Sequence, residues 1–477
     1  MVVKVASGRG LGWIVTAFFI VADMVGGGVV AMPVALFSTG RLLIGIIFMT
    51  VICVIFAYTA HLLGENWVIM QQRWPIYRNH CRKPYSEMAM RSMGKKMKTI
   101  AAGIVYMTMF GTSVVYILLS SKIFEHFLAS IFGIEISFCY LLCVVTISIM
   151  PLTYLKSPAD FWMVIVMAML CTIVAVLLIT LGISIDASIC MAKAHYPKVS
   201  ITGAVVSLGT FLFAFSGHQV FPTIQHDMYR PMEFTKSVIL GFILVALLYM
   251  PLSIYGYWTY GNSMHSSVID SVQTPWIRHA ANLAIAIHCI LALIIMVNPL
   301  NQQVEHFFSA PHSFGIQRVL IRSGMLGTML FSALTVPDFG PFMNLVGAVT
   351  NPPTCVVLPA LTNLYLNAMS VDEKTRAFKI PTFFEVFKRT DRKKLLWNAF
   401  IVVVALIAGI GSAYLAVLEI LTVHFTPPCY IRPFISSSAL RNVTFDGEKI
   451  NCCGMEQNIY VFGNATEMCR MPTQTVM

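Results

Sequence analysis

Charge is what this chain has least of. Asp, Glu, Lys and Arg together make up 11% of its 477 residues, against 57% hydrophobic residues and a mean hydropathy of +0.76. So little charge excludes a soluble or disordered chain and leaves an all-α protein embedded in a bilayer. Long polar runs are also scarce: 71–98, 364–395 and a tail at 425–477. None is large enough for a robust core of its own. No spacing of His, Cys, Asp or Glu suits a metal ion. The run Gly26–Gly28 has neither the preceding strand nor the following Lys-Ser/Thr of a phosphate-binding loop. No acid, base and metal set clusters as an enzyme inside the membrane would need. The expectation is therefore a non-enzyme with no cofactor and no bound metal.

What is present is a series of apolar segments. By the rule of about 20 apolar residues per crossing, spans are expected at 12–38, 42–68, 99–124, 136–155, 158–184, 201–225, 235–260, 276–298, 316–336, 338–363 and 396–424. That is about 11 transmembrane helices. The first lacks a short apolar core with a small-residue cleavage site, so it reads as a retained helix. The formal net charge of +11 does not indicate nucleic acid, because its distribution is that of a membrane protein. Eight Lys and Arg lie in 73–98 and eight more between Lys374 and Lys394. With the N-terminus cytoplasmic, 23 of the 32 fall inside, Arg318 and Arg322 among them, and 8 outside, with Lys122 at the outer end of the third span. The positive-inside rule favours that orientation. The 71–98 loop also holds Tyr85–Met90, which reads either as a short amphipathic helix on the inner surface or as a solvated basic loop. Glu65 and Glu87 read as surface groups.

The same orientation puts the tail in an extracellular or luminal space. It carries the acceptor patterns Asn442-Val443-Thr444 and Asn464-Ala465-Thr466 for N-glycosylation, with Cys429, Cys452, Cys453 and Cys469. Cys190, in the expected outer loop after the fifth span, is a fifth exposed cysteine. Connectivity is not readable. The domain reading is a ten-helix core at 1–363, a cytoplasmic loop at 364–395, an eleventh helix at 396–424 and the tail at 425–477.

Two spans are interrupted. The first contains Met24-Val25-Gly26-Gly27-Gly28-Val29-Val30-Ala31-Met32-Pro33, and the sixth contains Phe213-Ala214-Phe215-Ser216-Gly217-His218-Gln219-Val220-Phe221-Pro222. Each helical glycine costs roughly 1 kcal/mol relative to alanine, and proline about 3. Unwound backbone at membrane depth survives only where protein or a wet cavity covers it. A matched pair of broken helices points to a secondary transporter's binding site. Because they stand first and sixth, each opens a block of five, and an odd block reverses the direction of entry. That arithmetic suits an inverted repeat of five plus five helices.

At these segments the chain resembles the amino acid/auxin permease family. The glycine run ending in a small residue, an aliphatic residue and proline is similar to that family's first helix. Phe213-Ala214-Phe215-Ser216-Gly217-His218 is similar to its Phe-Ala-Phe-x-Gly-His motif, with Met228 and Pro231 also in familiar places. The resemblance implies the five-plus-five inverted-repeat fold with an eleventh helix, and alternating-access transport of amino acids or related small amines. Asp23 departs from it, standing where relatives carry a small or amide residue. The cysteine-bearing tail lies outside the shared core.

An unwound helix offers N–H groups to a substrate carboxylate and carbonyls to its ammonium. Gly26, Gly27 and Gly28 would let substrate meet bare backbone, or would serve close helix packing instead. Phe213 and Phe215, two positions apart, do not share a face, so one of them would line the pocket. Ser216 could add a hydroxyl. Gly217 and His218 lie in the second break, His218 as a ligand or as a packing histidine bonded to a free carbonyl. Tyr106 and Tyr116 could face the pocket or merely pack. Asn351-Pro352-Pro353 and Pro359 would kink the tenth span.

Asp23, about 11 residues or roughly 16 Å into its span, and His288 stand near mid-membrane, where ionisable groups are functional candidates. The alternatives are a cytoplasm-wetted acid and a packing imidazole. In the resembled fold the first and eighth helices meet at the cation position. Between Trp276 and Pro299 there is no Ser or Thr, which disfavours sodium and leaves Asp23 and His288 as a proton site. The reading is thus a proton-coupled amino acid transporter of the plasma membrane, with a lysosomal or vesicular membrane as the alternative. Its rivals are a sensor with little transport and an uncoupled permease. Its partners are a small-molecule substrate and the lipid bilayer; nothing in the sequence sets an oligomeric state.

The tail's side of the membrane is directly testable. Glycosidase treatment should increase gel mobility, and Asn442→Gln with Asn464→Gln should abolish the change. Persistence of the shift in the double variant would remove both sites.

Overall fold

The computed structural model describes residues 10–434, apart from 80, 82, 135, 155–161, 195, 311–314, 373–376, 424–426 and 432–433. Asn442, Asn464 and the cysteines at 452, 453 and 469 lie outside the described residues. The chain is mostly helical. The first expected span is a pair, α1 (Trp13–Met24) and α2 (Gly27–Ser38), bent by 61° at the break. Then come α3 (Leu42–Arg73), α4 (Pro84–Met93), α5 (Lys95–Phe132), α6 (Phe138–Thr153) and α7 (Trp162–Cys190). The sixth expected span is α8 (Ile201–Ala214) followed by α9 (Phe221–His226). After it run α10 (Phe234–Tyr260), α11 (Pro275–Phe307) and α12 (Ile316–Thr335). A run of α13 (Phe339–Asn351), a π segment (Pro352–Val357) and α14 (Leu358–Ala368) follows, then α15 (Phe383–Arg389) and α16 (Arg392–Leu418).

Among the described residues seven helical runs are long and apolar enough to cross a membrane, and eight if α1 and α2 count as one. These are α3, α5, α7, α10, α11, α13–α14 and α16. The rest of the expected eleven fall short for local reasons. α8 stops at Ala214 because its span breaks there, α6 has 16 residues, and α12 carries Arg318 and Arg322 in its first turns.

The segments before α1 and after α9 pair. Leu11 N–H donates to Asp227 O at 2.9 Å, and Tyr229 N–H donates to Leu11 O at 3.0 Å. At the other end, Ser38 at the close of α2 meets Gly203 in the first turn of α8. The two interrupted segments therefore run in opposite directions. α8 also lies tightly on α13, where Gly209 and Gly347 face one another and neither has room for a side chain. The π segment is braced by Asn351 Nδ2, which donates to Leu212 O at 3.0 Å, and by Asn66 Nδ2, which donates to Pro359 O at 3.0 Å. Proline has no N–H to offer its own helix, which is why Pro352 and Pro353 stand where the regular helix gives way.

Several sequence readings change here. Tyr85–Met90 is helical, but it is neither a surface helix nor a solvated loop. Tyr85, Met88 and Ala89 are buried, α4 packs against α5 and α14, and the Tyr85 hydroxyl donates to Thr354 O in the π segment. Glu87 is not a surface group either: it accepts from Tyr77 Oη at 2.8 Å and pairs with Lys98 at 2.5 Å. Cys190 is buried rather than exposed, because α7 runs six residues beyond the expected end at 184. Cys429 pairs with Cys139, at the start of α6.

Arg318 and Arg322, counted among the inside charges, are not solvated. They are 4% and 0% exposed and converge on Glu305 of α11, at 3.2 and 2.5 Å. Arg322 also donates to Thr153 O at 2.5 Å, so the cluster joins α6, α11 and α12. Removing the acid would leave two guanidinium groups buried side by side, at a cost of about 3–5 kcal/mol. Glu305→Ala should therefore lower the thermal unfolding midpoint of the detergent-purified protein by several degrees. An unchanged midpoint would mean that the pair contributes nothing.

Candidate functional site

The first break is narrower than three glycines suggest. α1 ends at Met24, and only Val25 (φ −91°, ψ 88°) and Gly26 (φ −139°, ψ −114°) leave helical geometry. Gly27 and Gly28 already belong to α2, and Pro33 sits inside that helix. The second break is wider, from Phe215 to Val220, and Pro222 opens α9, where a missing N–H costs nothing.

Two hydroxyls from other helices attend the backbone at these breaks. Tyr249 Oη of α10 donates to Met24 O at 2.8 Å and also stands 3.4 Å from Ala214 O. Those carbonyls end α1 and α8, so they are among the groups a helix leaves without intrahelical partners. Thr172 Oγ1 of α7 lies 3.2 Å from Val25 O, 3.0 Å from Ala168 O and 2.8 Å from His288 Nδ1. His288 Nδ1 is also 3.1 Å from Ala168 O, an atom that can only accept. The network therefore assigns the proton to Nδ1 and leaves Nε2 as the basic nitrogen. Nε2 is buried, makes no hydrogen bond and faces the first break: a Cβ on Gly26 would stand 2.6 Å from it. Tyr116 lies beside it, its hydroxyl 3.3 Å from the same point.

Asp23 comes to the other break. A Cβ on Gly217 would stand 2.7 Å from Asp23 Oδ2, a buried oxygen that makes no hydrogen bond. No hydrogen bond or ion pair joins Asp23 to His288 among the described residues, so the two expected proton carriers serve different breaks. His218 turns toward α3. Its Nε2 donates to Phe56 O at 3.1 Å with Thr59 Oγ1 at 3.2 Å, while its ring packs on Phe56 and Phe221. Phe215 is buried edge-on to Tyr249, with ring centres 5.6 Å apart, and Phe213 packs beside Gly347. Ser216 Oγ donates to Phe213 O at 2.7 Å. Tyr106, by contrast, donates to Gln303 at 3.1 Å.

Leu119 and Phe339 lie against Gly27, at 3.5 and 3.9 Å from where its Cβ would be. They also line, with Lys122, His126, Asp270 and Asn282, a cavity of about 10 Å³. Asp270 lies in the loop after α10. Burial raises its pKa, but the His126 hydrogen bond and the charges of His126, Lys122 and His265 outweigh burial and bring it down to about 2.

The residues missed by sequence reasoning are Tyr249 and Thr172. A tyrosine or threonine inside a span carries no local signal that its hydroxyl will find a carbonyl 225 or 147 positions away.

Comparison with known proteins follows the same segments. The family described as "Transmembrane amino acid transporter protein" matches residues 9–407. The chain is similar to auxin transporter-like protein 4 of Medicago truncatula, 28% identical over 203 residues, or 42% of this chain and 41% of that one. It is similar to lysine histidine transporter-like 1 of Arabidopsis thaliana, 29% identical over 164 residues, covering 32% and 36%. It is also similar to amino acid transporter AVT1H of the same plant, 26% identical over 371 residues, covering 75% and 82%. The match thus spans well under half the length of the first two relatives.

The three glycines should not respond alike. A methyl at Gly28 would stand 2.7 Å from Tyr249 Oη and 2.8 Å from Ala214 Cβ, whereas Gly27 offers ordinary contact distances. Gly26→Ala and Gly28→Ala should each destabilise the purified protein by about 1–3 kcal/mol of overpacking. Gly27→Ala should leave its thermal midpoint nearly unchanged, and equal losses at all three positions would contradict this geometry.

Proposed function

The chain belongs to the transmembrane amino acid transporter family, and from that premise we propose a secondary active transporter of amino acids or closely related small amines, coupled to protons and working by alternating access. Family members matched here are named as transporters, which sets enzymatic readings aside. The chain is a multi-pass integral membrane protein. The proposal extends to eleven spans in a five-plus-five inverted repeat. The opposed directions of the two broken segments support it, because the chain before α1 bonds to the chain after α9 while the end of α2 meets the start of α8.

The observation that carries the reading is the meeting of the two breaks. Asp23 of the first lies against Gly217 of the second, and one hydroxyl stands between Met24 O and Ala214 O. Two helix C-terminal ends facing one point make a site for a cation such as an α-ammonium. The N–H groups of Gly27 and Gly28 at the start of α2 offer complementary partners for a carboxylate. Gly26, Gly27, Gly28, Phe213, Phe215, Ser216, Gly217 and His218 remain the proposed substrate shell. His218 would act by fixing the second break to α3.

Proton coupling is proposed for His288, whose bare Nε2 faces the first break, with Asp23 as a second candidate. Sodium would have to use Thr172 Oγ1, Val25 O and Ala168 O around a nitrogen already in place. That mixed set suits it poorly. The N-terminus is proposed to be cytoplasmic and the tail extracellular or luminal, at the plasma membrane or at a lysosomal or vesicular one. The Cys139–Cys429 pairing supports that side for the start of α6, since disulfides persist in oxidising compartments.

Uptake of labelled amino acids into expressing cells tests the reading. Uptake should rise several-fold as the external medium is acidified, because an imidazole is the side chain suited to carrying a proton, and should not respond to replacing sodium with choline. His288→Ala should keep substrate exchange but lose most of the pH dependence of net uptake. Collapse of uptake in choline would reject the proton assignment, and saturable binding without uptake would favour a sensor.

A further inference from the structure

Tyr249 is fully buried at the middle of α10, yet its hydroxyl occupies the point on which both breaks converge. The space it fills is made for it. Gly28 has no side chain, and a Cβ there would stand 2.7 Å from Oη; Ala214 presents only a methyl beside the same point. Phe215, the first residue of the second break, packs edge-on against the ring. The hydroxyl has one proton to donate. It gives that proton to Met24 O at 2.8 Å and leaves Ala214 O at 3.4 Å, beyond a good hydrogen bond. One neutral donor is thus shared between two helix-end carbonyls that together favour a cation.

We infer that Tyr249 is a specificity-determining residue: its hydroxyl holds the place of the substrate's α-ammonium in the empty carrier, and must be displaced by that ammonium when substrate loads. The inference rests on the proposed function. An ammonium carries three donors and a full charge, so it can satisfy Met24 O and Ala214 O together, and charge-assisted bonds are roughly twice as strong as neutral ones. A ligand lacking the amine has nothing to offer these carbonyls that the tyrosine does not already give. The hydroxyl therefore acts as a filter. It covers Met24 O while no substrate is bound, and it yields to an amine alone.

The alternative role, a strut that merely holds the breaks in shape, predicts the opposite effect of removing the hydroxyl. Tyr249→Phe leaves the carbonyls bare in the empty state, so a competing donor is lost and amine-bearing ligands gain. The loss of one hydrogen bond of about 1 kcal/mol corresponds to about a fivefold change in affinity. The experiment measures binding and uptake of L-alanine, L-leucine, L-glutamine and L-lysine, with propionate and 6-aminohexanoate as analogues of alanine and lysine lacking the α-amine. In Tyr249→Phe the apparent KM for the amino acids should fall about fivefold, with a lower maximal rate of net uptake and unchanged weak competition by the two analogues. An unchanged or raised KM overturns the inference while leaving the transporter reading in place. Should Tyr249→Phe fail to reach the membrane, Tyr249→Met, also without a donor, is held to the same criteria. A wild-type protein that binds none of the four amino acids overturns the proposed function and this inference together.

Discussion

Backbone that leaves the helix inside a membrane protein must have its polar groups met by something other than water, and this requirement organises the centre of the molecule. Met24 O, Val25 O and Ala214 O are attended by the hydroxyls of Tyr249 and Thr172, which come from α10 and α7. A hydroxyl in a span usually turns back on its own helix, as Thr180 does to Val176 O at 2.7 Å. Tyr249 cannot do so, because its oxygen stands a full ring away from its own backbone. Thr172 does so in part, reaching Ala168 O and Val25 O from one position. The placement of α7 and α10 around the first break follows from that need, as do the small residues Gly28 and Ala214 that let Tyr249 in.

How much of this was legible in the sequence depends on the range of the signal. The breaks were legible, because glycine and proline punctuate a helix by local chemistry. Their widths were not. Three glycines suggested a long unwound stretch, but Gly27 and Gly28 are helical, and of these two only Gly28 is held to glycine by close contacts, with Tyr249 and Ala214. The second break is the wider one, although it has a single glycine, because Pro222 restarts the helix only at α9. Long-range partners left no trace in the sequence. Cys139 lies at the start of an apolar helix and gives no hint of Cys429, 290 positions on.

Charge was legible in sum and not in detail. The basic runs at 73–98 and 374–394 carry the inside excess, and the orientation argument survives without Arg318 and Arg322. Those two were counted among the inside charges, and they are buried against Glu305, where they join α11, α12 and α6. A count by position cannot tell a solvated arginine from a paired one, because the partner lies on another helix. The same blindness made α4 look like a choice between a membrane-surface helix and a loop. Its hydrophobic face instead belongs to α5 and α14, and its tyrosine is tied to the π segment.

The two breaks differ in what holds them, and that difference bears on how the proposed transporter could move. The second is pinned to α3 through His218, whose donor goes to Phe56 O. The first is held by α7 and α11 through Thr172 and His288, and by α10 through Tyr249. Between them, Asp23 approaches Gly217, the Tyr249 hydroxyl stands between two carbonyls, and Gly28 packs on Ala214. The first two approaches are polar and the third is apolar. α8 and α13, by contrast, meet through glycine backbones with no room for a side chain between them. A change of charge at the centre would therefore act on the two polar approaches, whereas the contact of Gly28 on Ala214 and the glycine seam of α8 on α13 carry no group that titrates.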